Sequence, residues 1–116
     1  MDYETPDMVV REVENVTIAR IRYANLTDIF QIQRMTAELE RLMDTGVRKL
    51  IIDFKYVRHA GSASLGMLIQ LQKKMKGLGG SMILSHAENI DELLSVSRTK
   101  PMFKLATDPK SAFKLF

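Results

Sequence analysis

The sequence predicts a single α/β domain over residues 1–116, with a mixed central β-sheet and about four helices packed mainly on one side of it. Three observations carry that expectation. Leu50-Ile51-Ile52 is a continuous β-branched apolar run, the pattern of a strand buried on both faces, and it stops abruptly at Asp53. Leu65, Leu68, Leu71, Met75 and Leu78 recur at helical spacing directly afterwards. Strand-like and helix-like segments then alternate along the chain, with no internal repeat, low-complexity tract or linker between them.

Residues 1–7 are acidic and polar and are expected as a flexible N-terminus. Met8 to Val13 and Val16 to Tyr23 read as two strands of an antiparallel hairpin turning at Glu14-Asn15, the first strand lying at a sheet edge that tolerates Arg11 and Glu12. Thr27 or Asp28 caps a helix whose apolar positions Ile29, Ile32, Met35, Leu39, Leu42 and Met43 follow helical steps, and Gly46 stops it. After the Leu50 strand, a polar loop leads to a helix capped by Ser62 or Ser64. Gly77-Leu78-Gly79-Gly80 ends that helix and makes the turn into a buried strand over Ser81 to Leu84. A short helix over Asn89 to Val96, a brief strand around Phe103 to Ala106 and a last helix opened by Asp108-Pro109 complete the pattern. Right-handed crossovers place the loop after the Leu50 strand and the start of the Ser62 helix at one end of the sheet, where open α/β sheets present their sites.

Composition narrows the function. An apolar fraction of 46% suits an ordinary core. No apolar stretch approaches a membrane span and the opening residues are not those of a signal peptide, so a cytoplasmic protein without membrane insertion is expected. Without cysteine there is no disulfide, zinc-cysteine site or thiol catalysis. The net charge of +3 is spread over several elements without interleaved aromatics, which argues against direct nucleic-acid binding. Lys73, Lys74 and Lys76 come closest to a patch, but they fall in the last turns of a helix, where cations meet the helix dipole on a solvated face.

Catalysis finds little support. Ser62 with His59 and Asp53 is a superficial triad, yet Ala60-Gly61-Ser62-Ala63-Ser64 is no nucleophile elbow, and His59 lies in the same loop as Ser62. His59 and His86 make no recognised metal spacing, so neither a metal nor a cofactor is expected. The Gly77–Gly80 stretch follows a helix and precedes a strand, the reverse of a phosphate loop. Asp53 is expected to order its loop by accepting from nearby backbone N–H groups. Met67 shares a helical face with Ala63, Gln70 and Lys74, away from the leucine stripe. It is either an exposed part of a small apolar patch beside Ser62 or a gap filler beneath a neighbouring helix.

The run LIIDFKYVRHAGSASLGMLIQLQKKMKGLGGSMIL, with Asp53, Val57, Ser62, Leu65, Gly66, Gly79 and Gly80 in order, resembles the central block of STAS domains, the family of bacterial anti-sigma factor antagonists. The resemblance extends from about Met8 to the C-terminus. It implies a β-sheet fold with four helices and no enzymatic activity. It further implies binding to an anti-sigma factor that is also a serine kinase, with Ser62 as the phosphoacceptor; the helix start and helical face beside Ser62 give Ala63, Ser64, Met67, Gln70 and Lys74 as partner-binding candidates. Two departures from the family pattern stand out. The usual Asp-Ser-Ser-Gly-Leu turn is here Gly61-Ser62-Ala63-Ser64-Leu65, and a common Gly-x-Leu-Asp stretch is here Ala24-Asn25-Leu26-Thr27. The alternative is a structural STAS-type subunit of a signalling scaffold or lipid-transport complex, needing no serine chemistry. A small-molecule-binding or catalytic domain is a third class, without a convergent polar constellation to support it. The oligomeric state is left open, a homo-oligomer included.

Overall fold

The computed structural model describes residues 2–116. Along the chain it forms β1 (Tyr3–Glu4), β2 (Met8–Val13), β3 (Val16–Ile21), β4 (Asn25–Leu26), α1 (Ile29–Asp44), β5 (Lys49–Asp53), β6 (His59–Ala60), α2 (Ser62–Gly77), β7 (Ser81–Ser85), α3 (Asp91–Val96), β8 (Lys104–Ala106) and α4 (Pro109–Ala112). Short 3₁₀ segments precede α3 and β8 and follow α4. The main sheet runs β1-β2-β3-β5-β7-β8; β1, β2 and β3 pair antiparallel, and β3, β5, β7 and β8 pair parallel.

Alternation along each strand divides the core. Val10, Ala19, Leu50, Ile52, Met82 and Leu84 point to the face covered by α1, α2 and α3. Ile51 and Ile83 point the other way, onto Ala112 of α4 and the half-buried Phe113 and Phe116. A strand covered on both sides has no polar face to keep, which is why Leu50-Ile51-Ile52 shows no alternation. The β2–β3 hairpin closes at Glu14 and Asn15, both at positive φ (51° and 67°), as a two-residue turn matched to strand twist demands. Asp28 caps α1, its carboxylate accepting from the Phe30 and Gln31 N–H groups at 2.8 and 3.3 Å.

The N-terminus differs from its expected flexibility, Met1 lying outside the described residues. Tyr3 and Glu4 pair with Val10 and Val9, so β1 and not β2 forms this edge of the sheet. The Tyr3 hydroxyl hydrogen-bonds Glu38 of α1; burial and that carboxylate push its pKa up to about 12. Asp7 is buried, and burial opposes its charge, but Arg34 (2.8 and 3.2 Å) and the Tyr23 hydroxyl (2.6 Å) outweigh this and hold its carboxyl below the usual range. The polar letters of this segment are clasps onto α1, invisible to periodicity because their partners lie far along the chain.

Among the glycines, Gly80 in the turn from α2 to β7 is the most closely packed. Gly79 takes φ +78°, and a Cβ on Gly80 would meet the Arg48 carbonyl oxygen at 2.6 Å and Met75 Sδ at 2.3 Å. Met75 can move, but the Arg48 carbonyl accepts the Ser81 N–H at 2.7 Å and is fixed in place. Gly80→Ala is therefore expected to cost about 1–3 kcal/mol through overpacking, measured by chemical denaturation. Gly77→Ala, with open space around it, is the control and should be near neutral or stabilising.

Candidate functional site

The chain leaves β5 at Asp53 and returns to α2 through a loop held by its own backbone. Phe54 and Val57 are buried; the Phe54 N–H donates to the Ser85 carbonyl at 3.0 Å, and Asn89 Nδ2 donates to the Phe54 carbonyl at 2.8 Å. The Arg58 and His59 N–H groups both donate to the Ala24 carbonyl, and β6 pairs in parallel with β4, His59 opposite Asn25 and Ala60 opposite Leu26. This two-stranded sheet ties the approach to α2 to the approach to α1, so the two helix starts emerge side by side. A Cβ on Gly61 would lie 3.9 Å from Thr27 Cγ2. The two departures from the family pattern, Gly61 and Thr27, therefore face each other.

Neither serine caps α2. Its N-cap is Gly61, with no side-chain bond, and the first turn carries no acidic residue. Ser62 is the first helical residue, exposed, and its hydroxyl has no partner among the described residues. Ser64 is buried, and its hydroxyl donates back to the Gly61 carbonyl at 2.6 Å. Ser62 is thus exposed to solvent, whereas Ser64, expected among the partner-binding candidates, is a buried structural tie.

Met67, another of those candidates, is buried as well. It is 3% exposed, and the buried stripe of α2 is Ser64, Met67, Leu68, Leu71 and Met75, with Leu65 half-buried and Leu78 40% exposed. The stripe is turned from the leucine spacing because α2 packs on the sheet and on α1 at once, and the seam with α1 claims Met67. Along that seam Gln70 Nε2 donates to Glu40 at 3.1 Å and Lys74 pairs with Asp44 at 2.9 Å, so both polar candidates are already engaged across the helices. Ala63 remains half-exposed beside Ser62, on a shallow groove of about 400 Å³ that Ile29, Ala37 and Gly66 also line. At its mouth Ile29 is 48% exposed, and its neighbour Phe30 is 70% exposed. The adjacent apolar letters Ile29-Phe30 are the sequence signal for this surface, since they precede the stripe of Ile32, Met35, Leu39, Leu42 and Met43 that α1 buries.

Asp53 does not accept from backbone. It is fully buried on the α4 face of the sheet, where Arg20, Asp53 and Ser85 are register neighbours on β3, β5 and β7. Arg20 Nε donates to Oδ2 at 2.8 Å; Ser85 Oγ donates to Oδ1 at 3.0 Å, and His86 Nδ1 lies 2.6 Å from the same oxygen. His86 sits at φ 50°, in the left-handed region, where the chain turns out of β7. Beyond it, Asp108 caps α4 and accepts from the Ser111 N–H, which holds its carboxyl below the usual range. His59, exposed on β6, has no contact with Asp53, so no Ser-His-Asp arrangement forms. Among the described residues no group of three or more His, Cys, Asp or Glu side chains converges as a metal site, and no helix is long and apolar enough to cross a membrane.

A family model for the STAS domain matches residues 7–112. The chain belongs to the STAS domain family. Its fold is that of solved STAS proteins: a domain from Planctomyces limnophilus at TM-score 0.82 and 18% identity, covering 94% of this chain and 97% of that one. A Thermotoga maritima protein assigned as an anti-sigma factor antagonist follows at TM-score 0.80 and 18% identity, with 91% of each chain covered. The Bacillus cell fate determinant SpoIIAA in its phosphorylated form gives TM-score 0.72 and 14% identity over 94% of this chain and 99% of that one. At these identities the likeness is one of fold. No curated protein matches this STAS domain in sequence.

Proposed function

We propose that this STAS domain is an anti-sigma factor antagonist-like signalling module, without catalysis of its own, that docks an anti-sigma factor/serine kinase and is regulated by phosphorylation at Ser62. The observation that carries the proposal is the Ser62 hydroxyl, exposed and unpartnered at the first position of α2, next to Ala63 of a groove that Ile29 also lines, with the exposed Phe30 following Ile29 on α1. The existence of phosphorylated and unphosphorylated forms of SpoIIAA, a protein of the same fold, supports it. Unmodified, the surface is flat and weakly polar; a phosphoryl group adds roughly two negative charges that docking must desolvate. Inhibition then acts at the interface, because negative charge at an uncapped helix N-terminus favours the helix.

Ser62→Ala removes a hydroxyl that bonds nothing and is expected to change stability by less than about 0.5 kcal/mol. It should abolish ATP-dependent labelling by the cognate kinase, read by phosphopeptide mapping; label on Ser95 or Ser97 of the unsubstituted protein would remove Ser62 from the role. Ser62→Asp should weaken partner binding while leaving the melting temperature equal or slightly higher. The same apolar surface also suits the permanent contact of a structural subunit in a signalling scaffold or lipid-transport complex. A stable stoichiometric complex indifferent to both Ser62 substitutions would establish that reading instead.

A further inference from the structure

The end of the sheet opposite Ser62, where β5, β7 and β8 begin, is basic. Lys49 is the register neighbour of Ser81, the Arg48 carbonyl accepts the Ser81 N–H at 2.7 Å, and Lys104 Nζ reaches Ser81 Oγ at 3.4 Å. Lys76, Lys104 and Met102 border a recess of about 330 Å³ around Ser81. Lys49, Lys76 and Lys104 are exposed and form no ion pair among the described residues, and Arg48 donates only to the Met43 and Val47 carbonyls. Carboxylates at this end are Asp44, taken up by Lys74, and Glu12 of the β2–β3 hairpin, which borders the patch on the Lys49 side, with Glu14 at the hairpin turn. Aliphatic side chains stand among the lysines: Leu78 is 40% exposed on the turn after α2, and Met102 is 37% exposed.

We propose that this end is a peripheral docking surface for an anionic phospholipid membrane. The chemistry selects that occupant. Three of the four bases are lysines, hydrated point charges suited to diffuse attraction to many headgroups, and the one arginine has its guanidinium turned onto backbone carbonyls. A binding site for single-stranded RNA would present exposed aromatic platforms, but Phe103, which lines the recess, is buried, and Phe113 and Phe116 are half-buried against the core. Leu78 and Met102, projecting among long lysine stems, suit insertion at the headgroup level. The recess is too shallow and too scattered in charge to grip one peptide. Docked this way, the domain holds its Ser62 end away from the bilayer, with the body of the fold, 25–32 Å across, between them. A partner can then reach Ser62 while the domain is on the membrane.

The test is co-sedimentation of the full chain with vesicles of phosphatidylcholine alone and of phosphatidylcholine mixed with phosphatidylglycerol. Binding should require the anionic lipid and fall as salt rises. Each lysine near the surface is worth about a fivefold change in partition, so Lys76→Glu with Lys104→Glu should weaken binding by 25-fold or more. Leu78→Ser should weaken it severalfold, and Arg58→Glu, at the Ser62 end, should leave it unchanged. Failure to bind anionic vesicles at low salt would overturn the proposal, as would equal losses for Arg58→Glu and the double lysine variant. So would binding to an acidic polypeptide or RNA in the absence of any lipid binding. Because the variants lie away from Ser62, labelling of Ser62 by a kinase reports on the other proposal separately.

Discussion

Asp53→Ala is expected to cost about 3 kcal/mol of stability and to lower the melting temperature by roughly 10–20 °C. The carboxylate is fully buried, and one oxygen meets Arg20 while the other meets Ser85 and His86, so a single side chain laces β3, β5 and β7 together and fixes the exit from β7. Truncation leaves the buried Ser85 hydroxyl without its acceptor and Arg20 without its counter-charge. The loss stays at the low end of what breaking a buried pair costs, because the Arg20 side chain is 34% exposed and its guanidinium, 5.7 Å from the centre of the Tyr56 ring, can turn to water. Asp53→Asn keeps the shape and one acceptor and should lose about half as much. Urea denaturation of the two variants separates charge from hydrogen bonding. A loss below about 1 kcal/mol for Asp53→Ala would mean that desolvation of the carboxylate nearly cancels its bonds. Since Phe54 follows directly and anchors the loop to Ser85, amide exchange over residues 57–61 should also quicken, extending the effect to the approach of Ser62.

The elements visible in the sequence were those decided by local pattern. The caps, the hairpin turn and the order of strands and helices follow from spacing and from residues such as Asp28, Gly46 and Asn15, whose roles depend on neighbours a few positions away. Ser62 was legible as an exposed group at a helix start for the same reason, although its position is one past the cap that Gly61 fills. What local pattern cannot carry is the identity of a distant partner. Asp53 reads as a loop residue in sequence and becomes the centre of a cross-strand network only when Arg20 and His86, 33 positions away on either side, arrive beside it. Tyr3 and Asp7 read as a loose polar lead for want of Glu38 and Arg34. β4 and β6 carry two residues each, too short for any periodicity, yet they align the starts of the two helices that frame the site.

Met67→Asp is expected to cost the isolated domain about 4 kcal/mol or more. A helical wheel sets Met67 on the side of Ala63 and Gln70, which could be read as a docking face, but a helix clamped between a sheet and another helix buries two directions. Met67 occupies the second, in the seam with Ile32 of α1, and is 3% exposed. The polar groups lining the groove with it are Gln33, Thr36, Gln70 and Glu40, and Lys74, further along the seam, is taken up by Asp44, so a carboxylate there is desolvated, meets no free counter-charge and is repelled by Glu40. The shorter side chain also leaves a gap where the thioether packed. Met67→Leu, close in volume, should lose less than about 1.5 kcal/mol. Gln70→Ala on the exposed side of the same seam should change stability by less than about 0.5 kcal/mol, since its bond to Glu40 is at the surface. Thermal melts of the three variants decide the matter without any partner. A near-native melting temperature for Met67→Asp would return Met67 to the surface and reopen the groove between α1 and α2 as a deeper docking site. The expected collapse leaves Ala63, Ile29 and the neighbouring Phe30 as the apolar side chains exposed around the mouth of the α1–α2 groove, and makes Phe30→Ala the substitution that weakens a partner complex while leaving the fold intact.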